Sequence, residues 1–416
     1  MRKIYLDNAA TTQVDKKVLS SMAKYWSEIF ANPSSIHSMG VEAKITLQKA
    51  RKTIADFIGG HEREIIFTSG GTEANNLAIL GVFNHLEASL PSKGNNSTWK
   101  RSFQVPHFIT SEIEHSSVLE CFKKLELEGC KVDYLEVDEF GLINPKDLRD
   151  IIKPETVLVS IGYANNEIGV IQPIREIIKE IRHKRKEFSR SASEEGRDRI
   201  TMPYLHIDAC QAGLYLNFNV EELGVDFMTL DAQKMYGPKG VGALFVRDGI
   251  KIKPMIFGGG QEKGMRSGTE NIPLIVGFAK ALELARKMKD KESVRLSKIR
   301  DEFFDSIKKL VPRVVINGDL KSRLPNNINI SIPGQDGEMI VFRLDEAGII
   351  CSSASACFSG SGESLVVRKI AEKTNVSRGE IDLRAKSTLR FSMGKHTKMV
   401  DIKKLLKILS NILQSF

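Results

Sequence analysis

Glu64–Phe83 reads EIIFTSGGTEANNLAILGVF, and the hydrophobic period changes inside it. Glu64–Thr68 is a short, β-branched, apolar run that suits a strand. Two glycines follow, and from Glu73 to Phe83 the apolar residues recur at helical spacing. A strand that turns through glycine into a helix is the repeating unit of an α/β fold. Gly70 and Gly71 permit a tight turn, and the first backbone N–H groups of a helix lack intrahelical partners. The turn is therefore a cradle suited to an anion such as phosphate, with Thr72 adding a hydroxyl donor. An ordinary strand-to-helix turn capped by Thr72 reads the same in this segment alone.

The rhythm continues outward. Strands are predicted at His107–Thr110, Lys131–Leu135, Val157–Gly162, Tyr204–Asp208, Phe227–Leu230 and Gly242–Val246, with helical patterns at Ser117–Leu127 and Ile174–Lys186. Such alternation predicts an α/β fold: a mainly parallel central sheet with helices on both faces and the active site beyond the strand ends. Ser89–Pro106 and Lys186–Pro203 are polar, lack apolar periodicity and read as surface insertions in loops. Glycines cluster in Gly258–Ser267 ahead of a long helical pattern from Pro273 to Lys309. The expected division is an N-terminal segment, 1–15, packing with a small domain; a large domain, 16–265; and a smaller α+β C-terminal domain, 266–416.

The chain has 416 residues, 41% hydrophobic and 27% charged, an ordinary globular composition that can bury a sizeable core. No run approaches the roughly 18 apolar residues of a membrane span, and MRKIYLDNAATT lacks the apolar stretch of a secretory signal. A cytoplasmic protein with no membrane association is expected. Net charge is +9, but Lys and Arg are spread along the chain. They read as solvated helix faces, and no direct nucleic-acid contact is expected. The five cysteines, Cys121, Cys130, Cys210, Cys351 and Cys357, are odd in number and form no CxxC pair. No disulfide framework and no metal site is expected.

Two further segments carry chemistry. LHIDACQAG, Leu205–Gly213, ends an apolar strand on Asp208. A carboxylate there is costly unless it meets a cation or strong donors. A protonated pyridine nitrogen is one such partner, and a helix-capping Asp is the alternative. TLDAQKMYGPKGVGALFV, Thr229–Val246, places Lys234 between a strand and a Gly-Pro-Lys-Gly turn. A Schiff base needs a partly deprotonated amine, which a cofactor pocket there would favour, and a surface lysine is the alternative.

These three segments, in this order, resemble the class V aminotransferase-like enzymes, which use pyridoxal 5′-phosphate. YLDNAATT (Tyr5–Thr12), NPSSIH (Asn32–His37), EIEHSSVL (Glu112–Leu119), NNEIGVIQPI (Asn165–Ile174), GMRSGTEN (Gly264–Asn271), CSSASACFSGSGE (Cys351–Glu363) and STLRFSMG (Ser387–Gly394) narrow the resemblance to the cysteine desulfurases. It spans essentially the whole chain and implies the type I fold of pyridoxal-phosphate transferases. It implies Lys234 as the Schiff-base lysine, Gly71 and Thr72 at the phosphate, and His115 stacked on the ring and relaying protons. Asn166, Asp208 and Gln211 fall around the pyridine ring and its hydroxyl. Thr269 is implied to reach the phosphate of a neighbouring subunit, hence a homodimer. Arg390 and Asn32 are implied to contact the substrate carboxylate, for which the planar guanidinium suits a two-point fit, with Asn166 also at the substrate. Cys357, in a run of Ser, Ala and Gly, matches the nucleophile that takes sulfur from L-cysteine. Cys351 and Cys210 read as packing residues.

The pattern departs from the family at Ala354, where the family has glycine, and beside the lysine. Where family members have Ser-x-His-Lys, this chain has Asp231-Ala232-Gln233-Lys234. Gln233 keeps an amide donor for the phosphate, whereas a carboxylate at Asp231 repels phosphate unless it turns away or carries a proton. The expected activity is conversion of L-cysteine to L-alanine with a persulfide on Cys357. The sulfur would pass to an acceptor protein, an iron–sulfur scaffold or a tRNA-thiolation enzyme. Selenocysteine lyase, another class V enzyme, or a cofactor-binding assembly scaffold with weak catalysis are the alternatives.

Overall fold

The computed structural model describes residues 2–89, 105–194, 202–353 and 362–414. Its strands are β1 (Ile4–Tyr5), β2 (Ile65–Thr68), β3 (His107–Ser111), β4 (Lys131–Leu135), β5 (Thr156–Gly162), β6 (Tyr204–Asp208), β7 (Phe227–Asp231), β8 (Gly242–Val246), β9 (Val315–Ile316), β10 (Asn327–Ser331), β11 (Ile349–Ile350) and β12 (Thr388–Ser392). Seven of them form one sheet in the order β2-β8-β7-β6-β5-β3-β4. Only β8 runs against its neighbours, pairing antiparallel with β2 and β7. The fold is α/β with a mainly parallel sheet.

Neighbouring residues on these strands enter different cores. Ile66, Phe108, Leu158, Phe227 and Leu244 belong to one apolar cluster, and Phe67, Ile109, Val159, Met228 and Phe245 to the other. Side chains alternate across a strand, so two clusters mean that both faces are covered. This explains why the strands read as continuous apolar runs. Where polar residues enter the sheet they pair: His206 on β6 bridges Ser160 Oγ on β5 at 2.8 Å and Thr229 Oγ1 on β7 at 3.0 Å. Burial pushes that imidazole down to about 4, so it is neutral.

Two helices outrun their predicted ends. Ile174–Glu194 continues past Lys186, against the expectation of a loop insertion starting there. The reason is Phe188, seven residues after the buried Ile181, which extends the apolar stripe and is itself buried. The helix Gly71–Ser89 likewise passes Phe83. The rest of the two predicted insertions, 90–104 and 195–201, lies outside the described residues.

The helix Ile272–Leu310 leads to the C-terminal elements, where β12, β10 and β9 form an antiparallel sheet. The N-terminal residues tie these elements to the large sheet. Ile4 and Tyr5 pair with Ile349 and Ile350, Asn8 N–H and Nδ2 both donate to Ser392 O, and Thr12 Oγ1 donates to Gln233 O at 2.7 Å.

Candidate active site

Because β2, β3, β5, β6 and β7 run in the same direction, the segments that follow them gather at one edge of the sheet. A cavity of about 230 Å³ lies there. Its walls include Gly71 and Thr72 after β2, His115 after β3, Asn166 after β5, Asp208 and Gln211 from β6, and Gln233 and Lys234 after β7. Arg390 reaches it from β12.

The anion cradle is built locally. Glu73 reaches back to accept from Ser69 N at 2.8 Å, while Arg266 Nε donates to its other oxygen at 2.9 Å. This fixes the turn into the helix, whose first residues, Gly71 and Thr72, line the cavity. Gly71 is required by crowding: a Cβ there would stand 2.6 Å from Cys210 Sγ and 3.4 Å from Asp231 Oδ2. Cys210, read from sequence as packing, therefore forms part of the wall, and burial with the nearby Asp208 holds its thiol protonated.

Asp208 is held at both oxygens. Oδ1 accepts from Cys210 N at 2.9 Å and Oδ2 from Asn75 Nδ2 at 2.7 Å. Lys234 Nζ donates to Ala9 O at 2.8 Å and Ala10 O at 2.6 Å, and Gln211 Nε2 donates to Ala9 O at 3.0 Å. His115 caps the helix Ser116–Leu127 by accepting from Ser117 N through Nδ1. Burial lowers its pKa, against the raising influence of Asp208. Beside it, desolvation pushes Glu114 up to about 8, so this carboxyl is protonated at neutral pH while its Oε1 accepts from Gly162 N at 2.9 Å.

The two asparagines of NNEIG divide their work. Asn165 is spent on the turn, donating to Ile113 O and accepting from Glu167 N and Ile168 N. Asn166 faces the cavity, and its backbone carbonyl accepts from Arg390 NH1 at 3.1 Å. Arg390 is 2% exposed, and its NH2 donates to Asp7 Oδ1 at 2.8 Å. Its Nε is buried without a partner.

Asp231 has not turned away. It lines the cavity, where its carboxylate accepts from Gln233 N at 3.2 Å and Gln233 Nε2 at 3.0 Å. The Gln233 amide is thus engaged with Asp231 instead of being directed at an incoming phosphate. Two predicted residues are not among those lining the cavity. Asn32 is exposed on a loop, its Oδ1 accepting from Ser34 N, and Thr269 lines a separate depression with Arg266 and Glu270. Cys357 lies outside the described residues. Cys351 is buried and its thiol is pushed up to about 12, which suits packing and not attack. Asp7, Asn75, Glu114 and Ser117 were not predicted. All four sit inside recognised motifs, but only contacts between distant segments reveal their part.

Lysine, carboxylate, imidazole and helix N-terminus together suit a planar, phosphate-bearing cofactor with a ring nitrogen. Among the described residues, no group of three His, Cys, Asp or Glu could hold a metal ion. Fold and site define a class V aminotransferase, and the model of that family, Aminotransferase class-V, matches residues 4–188 and 197–405. The chain is 42% identical over 414 residues to the cysteine desulfurase IscS of Dictyoglomus turgidum, covering 99% of this chain and 95% of the relative. It is 37% identical to cysteine desulfurase IscS 1 of Archaeoglobus fulgidus, covering 99% and 97%. A solved NifS-like protein superposes with a TM-score of 0.85 at 33% identity over the whole of both chains. SspA in complex with cysteine does so at 0.72 and 33%, covering 94% of this chain and 98% of that one. The chain belongs to the cysteine desulfurase family.

Proposed function

We propose that this chain is a pyridoxal-phosphate-dependent cysteine desulfurase that converts L-cysteine to L-alanine and holds the sulfur as a persulfide on Cys357. The observation that carries the reading is the cavity itself, where Lys234 and Asp208 share walls with a buried Arg390 whose Nε is unpartnered. When bound, the cofactor supplies an electron sink for charge developing at the substrate α-carbon. Lys234 and Asp208 would hold its reactive carbon and ring nitrogen, and the Gly71–Thr72 turn its phosphate. Arg390 would hold the substrate carboxylate, with Asn166 beside it. Lys234 Nζ, freed by substrate, is the base at the α-carbon. The Cys357 thiolate forms an S–S bond to the substrate sulfur as the C–S bond breaks, and the three-carbon product leaves as L-alanine after taking up a proton at the β-carbon and regaining one at the α-carbon from Lys234.

The active unit on this reading is a homodimer. Thr269 and Asn32 lie outside the cavity of one chain, and Trp26, Phe30 and Ile36 are 58%, 65% and 99% exposed on the loop around Asn32. A second copy would cover that apolar surface and bring Thr269 to the neighbouring phosphate. Pairing of β1 with β11 supports grouping 1–15 with a small domain at 266–416. No helix among the described residues is long and apolar enough to cross a membrane. The reading is completed by a cytoplasmic location and by sulfur delivery to an iron–sulfur scaffold or a tRNA-thiolation enzyme.

The test is incubation with pyridoxal phosphate, L-cysteine and a reductant. Alanine and sulfide are expected in equal amounts, none from Lys234→Ala, and almost no sulfide from Cys357→Ser. Brief exposure to cysteine should add about 32 Da, one sulfur, to the Cys357 peptide. Turnover by Lys234→Ala would sink the cofactor assignment, and the added mass on Cys351 would move the nucleophile.

A further inference from the structure

A chain of hydrogen bonds behind the cavity sets the state of His115. Asp208 Oδ2 lies 2.7 Å from Asn75 Nδ2, the same nitrogen lies 2.8 Å from Ser117 Oγ, and that oxygen lies 2.8 Å from His115 Nδ1. Ser117 N donates to the same Nδ1 at 3.1 Å. Asn75 and Ser117 are both buried, at 1% and 8% exposure.

The direction of each bond follows from the ends. An ionised carboxylate only accepts, so the amide NH2 of Asn75 must face Asp208; reversed, two acceptors would oppose each other. Asn75 Oδ1 is buried without a partner, so the amide is held this way round at the expense of its own carbonyl. Its second hydrogen goes to Ser117 Oγ, which leaves the hydroxyl hydrogen for His115 Nδ1. At the far end a backbone N–H cannot reverse, so there too Nδ1 must offer its lone pair.

We propose that Asn75 and Ser117 are positioning residues that hold His115 as the neutral imidazole with its proton on Nε2, so that the ring meets substrate as a hydrogen-bond donor and not as a base. An imidazolium would need a proton on Nδ1, which would break the bond from Ser117 N and displace the Ser117 hydroxyl hydrogen from that nitrogen. The charged groups facing the ring do not all agree. Asp208 and Asp231 favour the cation, whereas Lys234 and, above all, burial oppose it. The neighbouring Glu114 is protonated at neutral pH and adds no charge. This ring then takes no proton from a substrate thiol, and Lys234 stays the base at the α-carbon. The inference rests on the reading of this cavity as the reaction site.

The test is two-bond proton–nitrogen NMR of the full chain labelled with ¹⁵N-histidine, before and after loading with pyridoxal phosphate. The His115 signal is identified by its loss in His115→Gln. The neutral Nε2–H pattern is expected at neutral pH in both samples. Ser117→Ala and Asn75→Leu each remove an interaction opposing Nδ1 protonation, and should raise the imidazolium-to-imidazole ratio at fixed pH about tenfold, the worth of one hydrogen bond. A wild-type ring protonated at Nδ1, or an unchanged ratio in Ser117→Ala, overturns the proposal. If Asn75→Leu fails to fold, Ser117→Ala carries the test, because it removes a single oxygen and keeps the backbone bond. The readout needs no turnover, so failure of desulfuration and failure of the relay are separately visible.

Discussion

At the scale of single residues, the departure at Asp231 and Gln233 has the clearest consequence. The carboxylate stands beside the Gly71 turn, and the amide that was expected to face the phosphate is bonded to it. Asp231→Ser with Gln233→His should therefore tighten pyridoxal-phosphate binding about tenfold, as one recovered charge-assisted hydrogen bond would. Dissociation measured by cofactor fluorescence checks this, and a flat result would place the phosphate away from Asp231. Glu114 gives a pH signature. Its carboxyl keeps a proton up to about 8 in the fold, against 4.5 ordinarily. Between those values the unfolded chain binds fewer protons, so Glu114's contribution to stability is complete below 4.5 and lost by about 8. Melting temperatures of wild type should fall relative to Glu114→Gln across that window, and parallel curves would refute the shift. Lys234 and Asp208 were legible as candidates from residue type and strand-end position, and His115 from the family resemblance. The choice of Asn166 over Asn165 in the same motif rested on the family resemblance. Which of the two is consumed by its own turn depends on where Ile113 O lies, 52 residues away.

At the scale of elements, the site depends on how closely the helix Gly71–Ser89 approaches the ends of β6 and β7. A methyl group at Gly71 meets Cys210 Sγ at 2.6 Å, so Gly71→Ala should cost about 1–3 kcal/mol and weaken cofactor binding by shifting the cradle. Cys210→Ala in the same chain removes the obstruction and should recover most of both losses. Chemical denaturation and cofactor titration of the single and double variants measure this, and absence of recovery would locate the strain elsewhere. The seven sheet strands were readable within one or two residues, most plainly β2, β5, β7 and β8, where both faces are buried and the runs are mainly apolar. Helix ends were less readable. Around Phe188 a single core residue, surrounded by Lys, Arg, Glu and Ser, extends the helix, and a polar run masks such a signal.

At the scale of the whole molecule, the cavity is closed by segments far apart in sequence. Asp7 comes from the N-terminus and Arg390 from β12, and they meet at 2.8 Å. Residues Asn8 and Thr12 fasten the N-terminal segment to Ser392 and Gln233. The exposed loop around Asn32 is the surface on which the proposed second copy would sit. Phe30→Asp with Ile36→Asp should halve the mass in sedimentation equilibrium and weaken cofactor retention through loss of Thr269 from the partner site. An unchanged mass would remove this surface from the interface.

The sequence by itself determined the α/β class and the strands, and offered the lysine and the carboxylate as candidates, because backbone period and strand-end chemistry are local properties. It also carried the family, since an ordered set of short motifs survives without any knowledge of distance. Only the tertiary structure decided the roles of Asn75 and Ser117, the commitment of Gln233 to Asp231, the pairing of Arg390 with Asp7 and the absence of Asn32 and Thr269 from one chain's cavity. Each of these rests on hydrogen-bond direction or on contact between segments that the chain connects only through the fold, and neither is encoded in the spacing of residues along it.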